Sequence, residues 1–184
     1  METLAAQRHS VAGCSVFVGA SFVPTFGPEH ADALHFVSFG ALGSNRRLAK
    51  AGALGIIPCH VAAIAPYLLD GVLPCDVLLI QLSPPGPDGR YSLGATSDYG
   101  RAAAQQADLV IAEINDQAPI TTGGEYLEDN EFDFAIRTSR PLPQVPSGQS
   151  TAIDVAIARH HRRVYRRRRG AANGHRCDPR RHPA

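Results

Sequence analysis

The sequence predicts an α/β protein built on an open, mostly parallel sheet with flanking helices. Two apolar runs carry most of that expectation: residues 76–83, with Val77, Leu78, Leu79, Ile80 and Leu82, and residues 108–115, with Leu109, Val110, Ile111 and Ile114. Both are too short for core helices and read as buried strands. Between them lies an alanine-rich stretch with Ala102, Ala103, Ala104 and Ala107, so the order is strand, helix, strand. The first run ends at Pro84 and Pro85, which cannot donate to a sheet ladder, and at the turn-forming Gly86-Pro87-Asp88-Gly89.

The remaining elements follow in chain order. Residues 1–9 are helix-compatible but have no capping residue ahead of them. Residues 14–18 read as a strand, and Gly19 opens the loop that leaves it, where a missing side chain permits a close backbone approach. Residues 34–40 form the next strand, and Ser44 or Asn45 is placed to cap a short helix that carries Arg46, Arg47 and Lys50. Residues 54–57 read as a strand stopped by Pro58, and residues 60–69 as an apolar helix broken at Pro66. After the 76–83 strand, residues 90–94 should be extended, and Ser97 or Asp98 should cap the alanine-rich helix. Beyond the second apolar run, Asn115 to Pro119 closes the strand with polar groups, while Phe132, Phe134 and Ile136 alternate as one more strand. Residues 141–146, with three prolines, form an extended linker, and residues 150–159 begin a further helix.

The 184 residues, 44% of them hydrophobic, are enough for one sizeable core. Four scattered cysteines, Cys14, Cys59, Cys75 and Cys177, show neither C-x-x-C spacing nor a zinc pattern and suit a reducing compartment. Val11-Ala12-Gly13-Cys14 has the form of a lipoprotein cleavage box, but no apolar segment precedes it. No stretch reaches membrane-spanning length, so the expectation is a cytoplasmic protein without a membrane partner. Nucleophile-elbow, P-loop and metal-triad patterns are missing from the sequence. His60, just past a strand end, reads as a structural histidine rather than a site residue.

The run LPCDVLLIQLSPPGPDGRYSLG, followed by the alanine-rich helix and by VIAEIN, resembles the amino-terminal domain of the acetyl-CoA hydrolase/transferase family, which includes the 4-hydroxybutyrate CoA-transferases. The resemblance implies a CoA-transferase-like fold over residues 1–146, lacking its first strand, and the start of a linker helix over residues 147–160 that leads to a second domain. It implies an acyl-CoA:carboxylate CoA-transferase or acetyl-CoA hydrolase, of acetate or 4-hydroxybutyrate type, with coenzyme A as co-substrate and no bound cofactor. A glutamate of the second domain would attack the thioester and become a glutamyl-CoA thioester, so this chain would hold no catalytic residue and be inactive alone. Ser83, Pro84, Pro85 and Gly94, with Gly19 and Asn115 at neighbouring strand ends, would then bind substrate as one wall of the cleft. Acyl-CoA, a small carboxylate and the missing carboxyl-terminal domain are the implied partners, and the full-length enzyme could be a homo-oligomer.

Residues 161–184 break the pattern, with nine arginines and one aspartate; they leave the preceding body near −7 against a whole-chain charge of +1. One reading is a basic arm for nucleic acid, attached to a small binding domain. The reading preferred here is a frameshifted, disordered tail. Shifted by one base, with CGN arginine codons, residues 161–183 can be read as IAAFIDDGAALQMGIGAIPDAIL, which resembles the family's entry into its second domain.

Overall fold

The computed structural model describes residues 1–95, 97–145 and 150–165. Two compact units divide the chain, residues 1–144 and residues 145–184. Among the described residues the first unit contains eight strands and four α-helices: α1 (Glu2–Ala6), β1 (Ser15–Phe17), β2 (His35–Ser38), α2 (Asn45–Lys50), β3 (Leu54–Ile56), α3 (Ile64–Leu69), β4 (Val77–Leu82), β5 (Tyr91–Ser92), α4 (Gly100–Gln106), β6 (Leu109–Asn115), β7 (Tyr126–Leu127) and β8 (Phe134–Thr138). In the second unit, α5 (Ala152–Tyr165) continues past the composition break at His161. Its start is fixed by a capping box, the Thr151 N–H donating to Asp154 Oδ2 at 2.8 Å and the Asp154 N–H to Thr151 Oγ1 at 3.2 Å. The arginines beyond Tyr165 lie outside the described residues.

The mixed α/β architecture with parallel sheets agrees with the fold class read from the sequence, but its sheet is divided. Strands β1, β2 and β3 pair in parallel in that order, and so do β4, β6 and β8; β5 and β7 form a separate antiparallel pair. The first sheet packs Val16, Phe36 and Leu54 against Leu4 and Ala5 of α1 and Leu48 of α2. The second packs Ile80, Leu82, Ala112 and Ile114 against Tyr91, Leu93, Leu127 and Phe132. A third cluster joins Ile64 and Leu68 of α3 and Ala102 and Ala103 of α4 to Phe17 of β1 and Leu78 of β4, so one helical layer lies under strands of both sheets.

Several local expectations are corrected. The 76–83 run is not buried on both sides, because Val77 and Leu79 are 53% and 46% exposed. Register pairs Leu79 with Ile111 and Ile111 with Phe134, so these side chains share one face, on which Phe134 and Ile136 are 62% and 57% exposed. Pro66 does not break a helix. The chain makes a 3₁₀ turn at Val61–Ala63, α3 starts at Ile64, and Pro66 sits in its first turn, where an N–H has no intrahelical partner. Neither Ser97 nor Asp98 caps α4: the Ser97 hydroxyl accepts the Glu125 N–H at 3.2 Å, and Asp98 accepts the Tyr99 N–H at 2.7 Å. Ser44 and Asn45 likewise reach outward instead of capping α2. His60 is exposed rather than enclosed.

Candidate functional site

In a parallel sheet, ligands bind at the carboxyl ends of the strands, and the loops there are where the sequence places its candidates. The loop after β4 is tied down by hydroxyl groups. Ser83 is fully buried; its hydroxyl donates to the Pro84 carbonyl at 2.7 Å and accepts the Ser92 N–H at 3.0 Å, while its own N–H donates to the Ser92 carbonyl at 2.9 Å. Ser92, equally buried, accepts the Gly94 N–H at 3.1 Å and the Thr121 N–H at 3.2 Å, and its hydroxyl lies 2.8 Å from that of Thr121. Thr121 in turn donates to the Gly94 carbonyl at 3.0 Å. Gly94 has φ +70°, the left-handed region that a side chain disfavours. Ser83 and Gly94 are therefore brought together through Ser92, beside half-buried Pro84 and exposed Pro85. The N–H groups of Ser83 and Gly94 are engaged within the loop.

The loop after β1 is held from two sides. Asn45, buried in the first turn of α2, donates its side-chain amide to the Gly19 carbonyl at 2.6 Å and the Val18 carbonyl at 3.3 Å. From the other side the Tyr99 hydroxyl approaches Gly19 so closely that a Cβ there would sit on it. The Tyr99 ring meets Phe17 edge-on at 5.8 Å, and Phe17 lies 6.5 Å from Phe39. Burial, helped by nearby Asp98, pushes the Tyr99 phenol up to about 12, so it is a neutral donor at any ordinary pH.

Asn115, at the end of β6, is fully buried and hydrogen-bonded through both its amide oxygen and its amide nitrogen. Its Oδ1 accepts the N–H groups of Gln117 and Arg140, each at 3.1 Å, and its amide donates to the Arg140 carbonyl at 2.8 Å. This closes the loop that runs on to Pro119, whose carbonyl is a neighbour of Gly94. Asn115 thus joins the set through backbone and, among the described residues, makes no side-chain bond to Ser83 or Gly19. Tyr99, Ser92 and Thr121 were not legible as site residues in the sequence. Asn45 was read only as a helix cap.

Glu113 is clasped by Arg140 through both carboxylate oxygens and also accepts the Thr138 hydroxyl at 2.7 Å. The Arg140 hydrogen bonds, supplemented by Thr138, outweigh its burial and hold its carboxyl down at about 2. A cleft of about 420 Å³ between α3, α4 and β7 carries Arg90 and Arg101, but both are engaged. Arg90 pairs with Asp88 at 2.7 Å and lies 4.7 Å over the Tyr126 ring, and Arg101 pairs with Glu131. Arg46, Arg47 and Lys50 of α2 are exposed, with Arg47 3.8 Å from Glu29. Among the described residues no group of three His, Cys, Asp or Glu side chains could hold a metal, and no helix is long and apolar enough to cross a membrane.

Residues 8–146 match the family model described as the acetyl-CoA hydrolase/transferase N-terminal domain. Among curated relatives, 4-hydroxybutyrate coenzyme A transferase of Clostridium kluyveri is 32% identical over 115 residues, which is 62% of this chain and 27% of the relative. Succinyl-CoA:cyclohexane-1-carboxylate CoA transferase of Geobacter metallireducens is 25% identical over 160 residues, 85% of this chain and 36% of the relative. Among solved structures, RipA from Yersinia pestis superposes with a TM-score of 0.75 at 19% identity, over 86% of this chain and 40% of that one. The 4-hydroxybutyrate CoA-transferase of Porphyromonas gingivalis gives 0.56 at 22% identity, over 87% and 44%. These structural likenesses speak to the fold, and the chain spans less than half the length of each of these relatives.

Proposed function

Because the chain belongs to the acetyl-CoA hydrolase/transferase family, we propose that it supplies the amino-terminal wall of an acyl-CoA cleft in a CoA-transferase or thioester hydrolase acting with acetate- or 4-hydroxybutyrate-type acyl groups. The observation that carries this reading is the family match across the first unit, which includes every loop described above. Coenzyme A is then a co-substrate, and the nucleophile belongs to a second domain. In that reaction a glutamate carboxylate adds to the thioester carbonyl and expels CoA thiolate, leaving a mixed anhydride. The thiolate then attacks the glutamyl carbonyl, releasing the carboxylate product and leaving glutamyl-CoA.

Glu113 does not suit that role, since its two oxygens are engaged by Arg140 and Thr138. The contribution of this chain is shape. Ser83, Pro84, Pro85 and Gly94 present a loop locked by Ser92 and Thr121, and Gly19 and Asn115 hold the neighbouring strand ends in register with it. With the Ser83 and Gly94 N–H groups bonded internally, these residues act by placing the loop surface against the acyl-CoA rather than by donating to a developing oxyanion.

The test is a titration of the isotope-labelled chain with acetyl-CoA, followed by amide resonances. Saturable shifts are expected at Gly19, Gly94 and the loop from Asn115 to Pro119. Shifts confined to the Arg90 and Arg101 cleft, or none at millimolar acetyl-CoA, would remove this wall from the acyl-CoA site.

A further inference from the structure

The side-chain donors that tie the carboxyl-end loops are spent inside the protein. Ser83 donates its hydroxyl to the Pro84 carbonyl and Thr121 to the Gly94 carbonyl, while the Asn45 and Asn115 amides donate to the Gly19 and Arg140 carbonyls. With Thr121 so committed, the Ser92 hydroxyl is the donor to Thr121 Oγ1. The Tyr99 hydroxyl is the exception. It lies against Gly19 at the carboxyl end of β1, and among the described residues it has no hydrogen-bond partner. Resting on the acyl-CoA reading above, we propose that this hydroxyl binds substrate by donating a hydrogen bond to the thioester carbonyl oxygen of acyl-CoA.

The rest of Tyr99 is held in place. Its N–H donates to Asp98 Oδ1 at 2.7 Å, and its carbonyl accepts the Ala103 N–H at 3.0 Å in the first turn of α4. The ring stands edge-on to Phe17 at 5.8 Å and packs with Ile64 and Leu68 of α3 and Ala102 and Ala103 of α4. A side chain so confined has little rotamer freedom left to lose when a ligand meets its oxygen. Tyr99 is half-buried, yet among the described residues every fully buried side-chain oxygen or nitrogen has a partner. The unpartnered Tyr99 oxygen therefore lies at the surface, within reach of a ligand. Gly19 keeps that approach clear, because a Cβ there would overlap the oxygen.

The surroundings select the acceptor. The phenol keeps its proton at ordinary pH, and its walls are aromatic and aliphatic. The ionised group that acts on it is Asp98, whose negative charge opposes a second anion beside it. A neutral carbonyl oxygen suits such a donor better than a carboxylate does. The Ser83 and Gly94 N–H groups are bonded within their own loop, so Tyr99 supplies the donor that the loop after β4 withholds.

The test uses the full chain isotope-labelled at tyrosine Cζ, with the Tyr99 resonance assigned through its own backbone amide. The chain is titrated separately with acetyl-CoA, with the thioether S-ethyl-CoA, which lacks the carbonyl oxygen, and with acetate. The expected result is a saturable shift of Tyr99 Cζ with acetyl-CoA and little or none with the other two. Tyr99→Phe should weaken acetyl-CoA binding about fivefold, the worth of one neutral hydrogen bond, and leave S-ethyl-CoA binding unchanged. If Tyr99→Phe does not fold, the contrast between the two CoA compounds on the unmodified chain decides. Equal Tyr99 shifts with both compounds, or a saturable shift with acetate, overturn the proposal. Acetyl-CoA shifts at Gly94 and Asn115 with Tyr99 Cζ unmoved also overturn it and leave the acyl-CoA wall standing. No shift anywhere at millimolar acetyl-CoA removes both.

Discussion

At the scale of the residue, the carboxyl-end loops depend on a few contacts that can be broken singly. Gly19→Ala places a methyl group on the Tyr99 hydroxyl. Overpacking of this kind costs roughly 1–3 kcal/mol. Tyr99→Phe removes the oxygen and should return much of that loss, so the pair should show a coupling of at least about 0.5 kcal/mol in a double-mutant cycle measured by urea unfolding. Additive losses would mean that the clash is relieved elsewhere.

Glu113 gives a second residue-scale expectation. Its folded carboxyl sits at about 2 against an ordinary 4.5, so its contribution is complete above about 4.5 and is lost as pH falls towards 2. Since Arg140 is 58% exposed, the amount is on the order of 1 kcal/mol. Glu113→Gln should therefore flatten the acid limb of a stability–pH curve and leave the limb above pH 6 unchanged in slope. Of the loop residues, the sequence showed Gly19, Ser83, Gly94 and Asn115 by their positions at strand ends. It could not show that Asn45 turns from its helix to clamp a loop 26 residues earlier, because a polar residue in a first turn satisfies the capping rule equally well.

At the scale of the element, the second sheet has one packed and one bare face. Ile114→Ala on the packed face of β6 should cost about 2–5 kcal/mol, whereas Ile136→Ala on the bare face of β8, 57% exposed, should cost less than about 1. Equal losses in denaturant titrations would show that the β8 face is covered in solution. The strands of the two parallel runs were legible from apolar pattern and turn residues, but their order and their division into two sheets were not. The bare face was not, since Val77 and Leu79 read as buried for the same reason that Leu78 and Ile80 do. The β5–β7 pair was half legible: residues 90–94 were expected to be extended, but Tyr126–Leu127 is too short to announce a strand.

At the scale of the whole molecule, the proposed division of labour predicts an inert chain. Purified alone, it should release thiol from acetyl-CoA no faster than a protein-free blank; steady turnover would place a nucleophile within these residues. The parallel arrangement also has a kinetic meaning. Within the two parallel sheets every register joins distant residues, from Phe36 with Leu54 at the nearest to Val77 with Leu109 at the farthest, and β5 meets β7 across Tyr91 and Leu127. None of these ladders is itself a hairpin, the local antiparallel contact being the Pro85–Tyr91 bridge across the 86–89 turn, and each closes a long loop before any of its hydrogen bonds form. Refolding from urea should accordingly take milliseconds to seconds, the range of topologies dominated by non-local pairing. During that interval the apolar strands are unpaired, so the time the nascent chain spends unfolded, more than its final stability, sets its exposure to aggregation.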